Sequence, residues 1–288
     1  MLTNWVARPI MAPFRHEYLF SPQVNTLPEL IDIGLNLGHD SFDHDRDAVL
    51  QAARAVGVVQ MVLTGTSIES SDKAASLAVE HPGVLYCTVG VHPHEAGQYN
   101  VDTSARLQRL AQLPPVVAIG ETGLDFYRDF SPRHVQESAF AEQLSLGVTT
   151  QLPVFLHQRD AHQRFLPILK EQRDRLSRAV VHCFTGTRDE LFDYLDLDCY
   201  IGITGWVCDE RRGLPLQELL KDIPPERLLL ETDAPYLQPR TLRPKPKTRR
   251  NEPANLIWVL ATVAACLGRH PEEIAATTTR SARVFFDL

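Results

Sequence analysis

Histidines and carboxylates fall in this chain where short apolar runs end. Reading the residue at or just past each run gives Asn36, Thr64, His92 with His94, Glu121, His157, His182, Thr204 and Asp233, so five of the eight ends carry His, Glu or Asp. The chain has 11 histidines, and four of them sit at these few places. One imidazole after an apolar run is ordinarily a hydrogen-bonded structural group. Glu121, Asp233 and two imidazoles brought to one face are instead a donor set for a divalent ion with open coordination positions. Such mixed ligation suits zinc, manganese or iron and, with more waters, magnesium, so ligand type leaves the ion open. The chemistry is clearer: a bound ion lowers the pKa of its water and polarises a carbonyl or phosphoryl oxygen, which is metal-assisted hydrolysis. Nucleophilic catalysis has less support. No G-x-S-x-G elbow or phosphate-binding loop is present, and the cysteines lack an evident partner except Cys183 beside His182, which strand alternation turns to the opposite face.

Elements that gather these groups must end on one side of the fold. From Leu30 onward the chain repeats one unit, a β-branched or Leu-rich run followed by a stretch with helical spacing. The runs are Leu30 to Leu37, Val58 to Gly65, Val84 to Val91, Val116 to Thr122, Pro153 to Leu156 with His157, Ala179 to Phe184, Tyr200 to Thr204 and Arg227 to Thr232. They have the length and composition of buried parallel strands. Helical segments between them include Asp43 to Val56, Pro132 to Leu146, with Ser131 as N-cap and Pro132 at the first helical position, and Ala161 to Leu176. After the eighth run Pro253 opens a helix with Leu256, Ile257, Leu260, Val263, Ala264 and Leu267 on one face, closed by Gly268, and a last helix covers about Pro271 to Phe286. Eight strict alternations predict a single (β/α)8 barrel, whose active site lies at the C-terminal ends of the strands. An open doubly wound sheet is the alternative, but the first strand ends in Gly34-Leu35-Asn36-Leu37 and lacks the glycine fingerprint of a dinucleotide site.

Composition agrees with an α/β globular domain. With 288 residues, 44% hydrophobic and 23% charged, the chain excludes disordered and collagen-like classes. The longest nearly apolar stretch, Leu256 to Leu267, is short of the ~20 residues that a membrane span requires, so no membrane partner is expected. The five cysteines form no C-x-x-C pair, which fits a reducing cytoplasm. Residues 1–28 read as an N-terminal arm, disordered or the product of a start placed too early, with Met11 as the alternative start; residues 29–288 are the hydrolase domain.

The wording around the chemical groups is specific. GVHPH (Gly90 to His94), IGETGLDF (Ile119 to Phe126), PVFLHQRDA (Pro153 to Ala161), VHCFTGT (Val181 to Thr187), YIGITGWVCDERRG (Tyr200 to Gly213), LLLETDAPYL (Leu228 to Leu237) and RRNEPA (Arg249 to Ala254) resemble the TatD family of metal-dependent deoxyribonucleases, in order over about residues 30 to 288. The resemblance implies a TIM barrel of the amidohydrolase superfamily and a magnesium-dependent 3'-5' exonuclease on single-stranded DNA and RNA, with a part in repairing oxidative DNA damage. Manganese and zinc remain alternatives to magnesium. Carried over by position, the family's metal ligands fall on Glu121, His157, His182 and Asp233, and its phosphate and substrate contacts on His92, His94 and Arg159. Of the two acids, Asp233 is the expected acceptor of the water's proton, and Asp125 is expected either to orient a ligand imidazole or to serve as a turn residue. Many relatives carry a His-x-His pair in the first strand that completes a second metal site. Here Gly34 and Asn36 replace it, so one ion is expected to bind tightly and a second weakly, with help from substrate.

A net charge of −7 is unusual for a protein that holds polynucleotides. Distribution answers this: Arg240, Arg243, Lys245, Lys247, Arg249 and Arg250 follow the eighth strand without an acid among them, and Lys245, Lys247, Arg249 and Arg250 are the expected nucleic-acid contacts. Phe126, Tyr127, Trp206 and Tyr236 are placed to stack on unpaired bases or to close the barrel mouth. A monomer acting on single-stranded DNA or RNA is the expectation. Two alternatives compete: a hydrolase of a small cyclic amide or phosphoester, and a non-catalytic adaptor barrel. Many hydrolases of the first kind bridge their metals with a carboxylated lysine in the fourth strand, where this chain has Glu121.

Overall fold

The computed structural model describes residues 28–288, so the expected arm over residues 1–28 lies outside the described residues apart from Pro28. The strands are β1 (Leu30–Leu35), β2 (Val58–Leu63), β3 (Leu85–Val89), β4 (Val116–Asp125), β5 (Val154–Arg159), β6 (Ala179–Val181), β7 (Tyr200–Ile203) and β8 (Leu228–Leu230). Each pairs in parallel with the next, in the order β1 to β8. The seam between β8 and β1 is joined by Asp233 N–H to the Gly34 carbonyl (2.9 Å) and Asn36 N–H to the Ala234 carbonyl (2.6 Å). Buried Asp32 adds to it, accepting Thr232 N–H at 2.9 Å. The fold is the (β/α)8 barrel expected from the alternation.

The helices are α1 (Arg46–Ala55), α2 (Ile68–Glu80), α3 (Val101–Leu110), α4 (Arg133–Thr150), α5 (His162–Arg173), α6 (Arg188–Asp196), α7 (Leu214–Leu219), α8 (Leu256–Leu267) and α9 (Pro271–Phe286). Their apolar faces and the outer faces of the strands share one core that includes Leu35, Leu63, Phe140, Leu156, Phe165 and Leu260. A second cluster, with Ile31, Ile33, Phe155, Val180 and Leu229, fills the barrel and takes in Phe285 and Phe286 of α9. Thus α9 plugs the end opposite the site, and packed side chains occupy the interior, as the barrel geometry requires.

Two local findings bear on the site. Ser131 is not the N-cap of α4. Pro132 takes that position, and the Ser131 hydroxyl donates to the His94 carbonyl (2.9 Å) and accepts Gly97 N–H (3.1 Å), so it holds the turn after β3 in place. The helix N-terminus lost a capping partner to a tertiary contact. β4 and β5 also run further than their apolar cores suggest, because Gly123 pairs with His157 and Asp125 with Arg159. Glu121 therefore lies within a strand, at a register shift between Gly120 and Thr122, and its N–H reaches the Gly65 carbonyl at 2.7 Å. Such bulges re-aim side chains beside active sites.

Candidate active site

The strands' C-terminal ends open into a cavity of about 770 Å³ whose lining includes Asn36, His92, His94, Glu121, Asp125, His157, Arg159, His182 and Asp233. Glu121 is its hub. One carboxylate oxygen, Oε1, lies 2.8 Å from His157 Nδ1, 2.8 Å from His182 Nε2 and 3.4 Å from His92 Nε2. Burial alone raises the Glu121 pKa, but His182 and His92, with hydrogen bonds from His157 and His182, hold it well below the usual carboxylate range. The same contacts act in reverse on His182: burial disfavours its cation, yet Glu121 and Glu231 raise its pKa well above the ordinary imidazole value.

Whether these residues fit a metal ion can be judged from their atoms. His92, Glu121 and His157 offer ligand atoms that all lie within 4.8 Å of one another. His157 Nε2 is buried with no hydrogen-bond partner, its nearest carboxylate oxygen on Asp125 being 3.6 Å away. Asp233, the remaining acid, has its pKa pushed up to about 8, by burial first and by repulsion from Glu121 and Glu231, against attraction from His182. An orphaned imidazole nitrogen and a carboxyl that burial disfavours as an anion each gain from a cation nearby, so the donor set fits a divalent ion.

The histidines are not equivalent. His92 Nδ1 accepts His94 N–H at 3.1 Å, which leaves the ring proton on Nε2. Burial, opposed by Glu121, lowers the His92 pKa to about 4, so the ring is neutral. A neutral ring with its proton on Nε2 is a hydrogen-bond donor toward the cavity, which suits a substrate oxygen better than a metal. Asp125 serves as a turn residue, and the imidazole it meets within hydrogen-bond distance is that of His94, not one of the expected metal ligands. Its Oδ1 accepts the N–H groups of Tyr127 (3.0 Å) and Arg128 (2.8 Å) as a turn residue does, while Oδ2 lies 2.7 Å from His94 Nε2. Burial raises its pKa, and His157, His94 and the Arg128 N–H outweigh that and hold the carboxyl below its usual range.

Several expectations change here. Cys183 does not point away from the site: β6 ends at Val181, strand alternation stops with it, and at φ 47° the Cys183 side chain lines the cavity. Burial pushes its thiol up to about 12, which leaves it unreactive at neutral pH. Phe126 does not line the cavity; it packs on the core beneath Arg133. Tyr127, Trp206 and Tyr236 do line it, and guanidinium groups cover two of them, Arg159 at 4.1 Å from the Tyr127 ring and Arg212 at 4.4 Å from the Trp206 ring. Arg250 is not a free cation. It donates to Asp45 (2.9 and 2.6 Å), to the Ser41 carbonyl and to Glu252, and lies over the Phe42 ring, so it ties the loop after β8 to α1. Arg250→Ala should lower the unfolding free energy by about 1–2 kcal/mol, read by urea denaturation, because a bidentate pair and a packed stem are lost from a partly exposed site. Arg240 is likewise paired, with Glu210 at 2.8 Å. Lys245, Lys247 and Arg249 are exposed and without a carboxylate partner among the described residues.

Three residues the sequence reading passed over complete the site. Gln143 of α4 accepts Val91 N–H (2.7 Å) and donates to the Val91 carbonyl (3.0 Å), and Gln136 accepts Asp125 N–H (2.9 Å). These two glutamines, seven residues apart on the buried face of α4, hold the backbone beside His92 and at Asp125. The third is Glu231, fully buried beside His182.

The sequence profile of the family described as TatD related DNase matches residues 31–287. The chain belongs to this family. It is therefore a hydrolase of phosphodiester bonds, on a TIM barrel. A 3'-5' ssDNA/RNA exonuclease TatD from Citrobacter koseri is 52% identical over 259 residues, 90% of this chain and 99% of the relative. The structure of a TatD homologue from Escherichia coli superposes with TM-score 0.83 at 27% identity, covering 91% of this chain and all of that one. An amidohydrolase of Saccharomyces cerevisiae shares the fold at TM-score 0.77 and 24% identity, covering 90% of this chain and 99% of its own.

Proposed function

We propose that this family member is a magnesium-dependent 3'-5' exonuclease on single-stranded DNA and RNA, monomeric and cytoplasmic, acting in the repair of oxidatively damaged DNA. The observation that carries the nuclease reading is the Glu121 carboxylate among His157, His182 and His92 at the mouth of a DNase-family barrel. Glu121, His157, His182 and Asp233 would hold the ion, which supplies water activation and neutralises charge on the phosphoryl group. Asp233 would take a proton from the attacking water: burial raises its proton affinity, and a cation held beside it would keep it ionised until then. His92 donates from Nε2 to a non-bridging oxygen, and His94 and Arg159 bind the phosphate from the β3 and β5 sides. Unpaired bases have Tyr127, Trp206 and Tyr236 to stack on, each partly or largely exposed. The names of the curated relatives support the polarity and the single-stranded substrate. No helix of the described residues is long and apolar enough to cross a membrane.

The lining residues favour this over the small-amide alternative, because no lysine is among them and a carboxylated lysine has no place to form. The deciding assay measures mononucleotide release from a 3'-labelled and a 5'-labelled single strand, with magnesium and with chelator. Loss of the 3' label first, only with metal, is expected. Absence of release from either end would refute the reading.

The first strand sets the metal count. A Cβ on Gly34 would stand 2.6 Å from Glu231 Oε2 and 2.9 Å from Phe155 Cζ, so the place of a first-strand histidine is filled. Asn36 offers a neutral amide that already donates weakly to Asp233 (3.4 Å). Calorimetric titration with manganese, without nucleic acid, should therefore find one tight ion per chain. Two tight ions would contradict the assignment.

A further inference from the structure

The geometry points to Glu231 as a positioning residue that sets which nitrogen of His182 faces the metal; the inference rests on the metal reading above. Glu231 stands just past β8, and its side chain is fully buried. It enters a slot that two glycines leave open: a Cβ on Gly34 would be 2.6 Å from Oε2, and one on Gly202 would be 2.6 Å from Oε1. Any larger residue at either place would displace the carboxylate. From this slot Oε1 accepts Cys183 N–H at 2.6 Å and Oε2 lies 3.3 Å from His182 Nδ1. The other ring nitrogen, Nε2, is 2.8 Å from Glu121. A carboxylate has no proton to give, so the contact at Nδ1 holds only if Nδ1 carries the proton. Nε2 faces the Glu121 carboxylate in the same way, so without an ion both nitrogens hold protons; an ion bound at Glu121 would take the place of the Nε2 proton, while Glu231 would keep the one on Nδ1 and so leave the Nε2 lone pair for the ion. Through Cys183 N–H the same carboxylate also fixes the backbone that follows His182, where φ turns to 47°. One side chain thus sets both the tautomer and the direction of a ligand, without touching substrate.

Glu231→Gln keeps the shape and removes one acceptor. If the amide oxygen takes Cys183 N–H, the NH2 group faces Nδ1, which must then accept, and the proton moves to Nε2, where it blocks ligation. If the amide turns over, NH2 meets the Cys183 N–H, donor against donor. Either way the site loses preorganisation, and partners of this kind are worth about 10–100-fold in metal affinity. The test is titration of manganese into wild type and E231Q, each shown folded by circular dichroism, together with the manganese dependence of turnover. The expected result is a manganese Kd raised at least about 10-fold in E231Q, with turnover partly restored at saturating manganese. A merely structural role would lower the melting temperature and leave the Kd of the folded protein unchanged, and that outcome overturns the proposal. Should E231Q fail to fold, nitrogen-15 spectra of zinc-loaded wild type decide: a proton on His182 Nδ1 supports the proposal, and a proton on Nε2 overturns it. Wild-type protein that binds no manganese would overturn the metal reading and this inference together, whereas equal binding by the two proteins overturns this inference alone.

Discussion

Replacing Glu121, His157, His182 or Asp233 with alanine is expected to lower turnover of single-stranded DNA by at least ~10²-fold while the barrel stays folded. The lost contribution is water activation and charge neutralisation at the phosphoryl group, and no other group in the cavity supplies both. Glu121→Ala should have the largest effect. Its Oε1 is the atom nearest three imidazoles, at 2.8, 2.8 and 3.4 Å, so its removal leaves rings that repel one another when charged and have no anion between them. Survival of the fold follows from the layering. The interior below the mouth is filled by Ile31, Ile33, Phe155, Val180 and Leu229, with Phe155 directly against His182, and Phe285 plugs the far end. His182→Ala is the sharpest member of the set. Unchanged turnover in that variant, shown folded by its denaturation midpoint, would remove His182 from the site and leave the closer trio of His92, Glu121 and His157 as the metal group.

The barrel and the residues at its mouth were legible because the signal is repetitive. Eight apolar runs separated by helical stretches have few alternative folds, and the strand ends are the one place where such a fold gathers polar groups. What was not legible depends on contacts far apart in sequence. Arg250 read as a nucleic-acid contact because Asp45, which holds it bidentately, is distant in the chain and adjacent only after α1 packs against the loop following β8, and Glu252, two residues on, adds to that pair. Ser131 has the composition of a helix cap, but the turn carrying His94 competes for its hydroxyl. Cys183 was assigned by alternation along a strand that stops two residues earlier. Glu231 had only a weak signal, its place two residues before Asp233, because alternation does not extend past Leu230, where β8 ends. Its role emerges only from the glycine slot across β1 and β7, which needs three strands to be placed at once.

Lys245, Lys247 and Arg249 carry the second large expected effect, because they decide whether the substrate is a polymer. A hydrolase of small phosphoesters holds its substrate within the cavity, and its affinity is insensitive to cations outside. A nuclease holds several phosphates, and each one neutralised on a single strand releases counterions, giving a slope of log K against log salt near −0.7 per phosphate. The structure narrows the basic loop to these three, since Arg240 and Arg250 are held by carboxylates and Arg243 donates to the Arg240 and Leu242 carbonyls. Replacing all three with alanine should weaken binding of single-stranded DNA and flatten the salt slope by up to about 2 units, with hydrolysis of a small phosphodiester nearly unchanged. Arg250→Ala, by contrast, should lower stability without changing that slope. The comparison separates charge that meets DNA from charge that holds the loop. If the triple variant binds as tightly as wild type across the salt series, the substrate is a small phosphoester held in the cavity, or the strand crosses the mouth by a different path, past Arg159 on Tyr127 and Arg212 on Trp206, whose cations already lie against rings on which bases can stack.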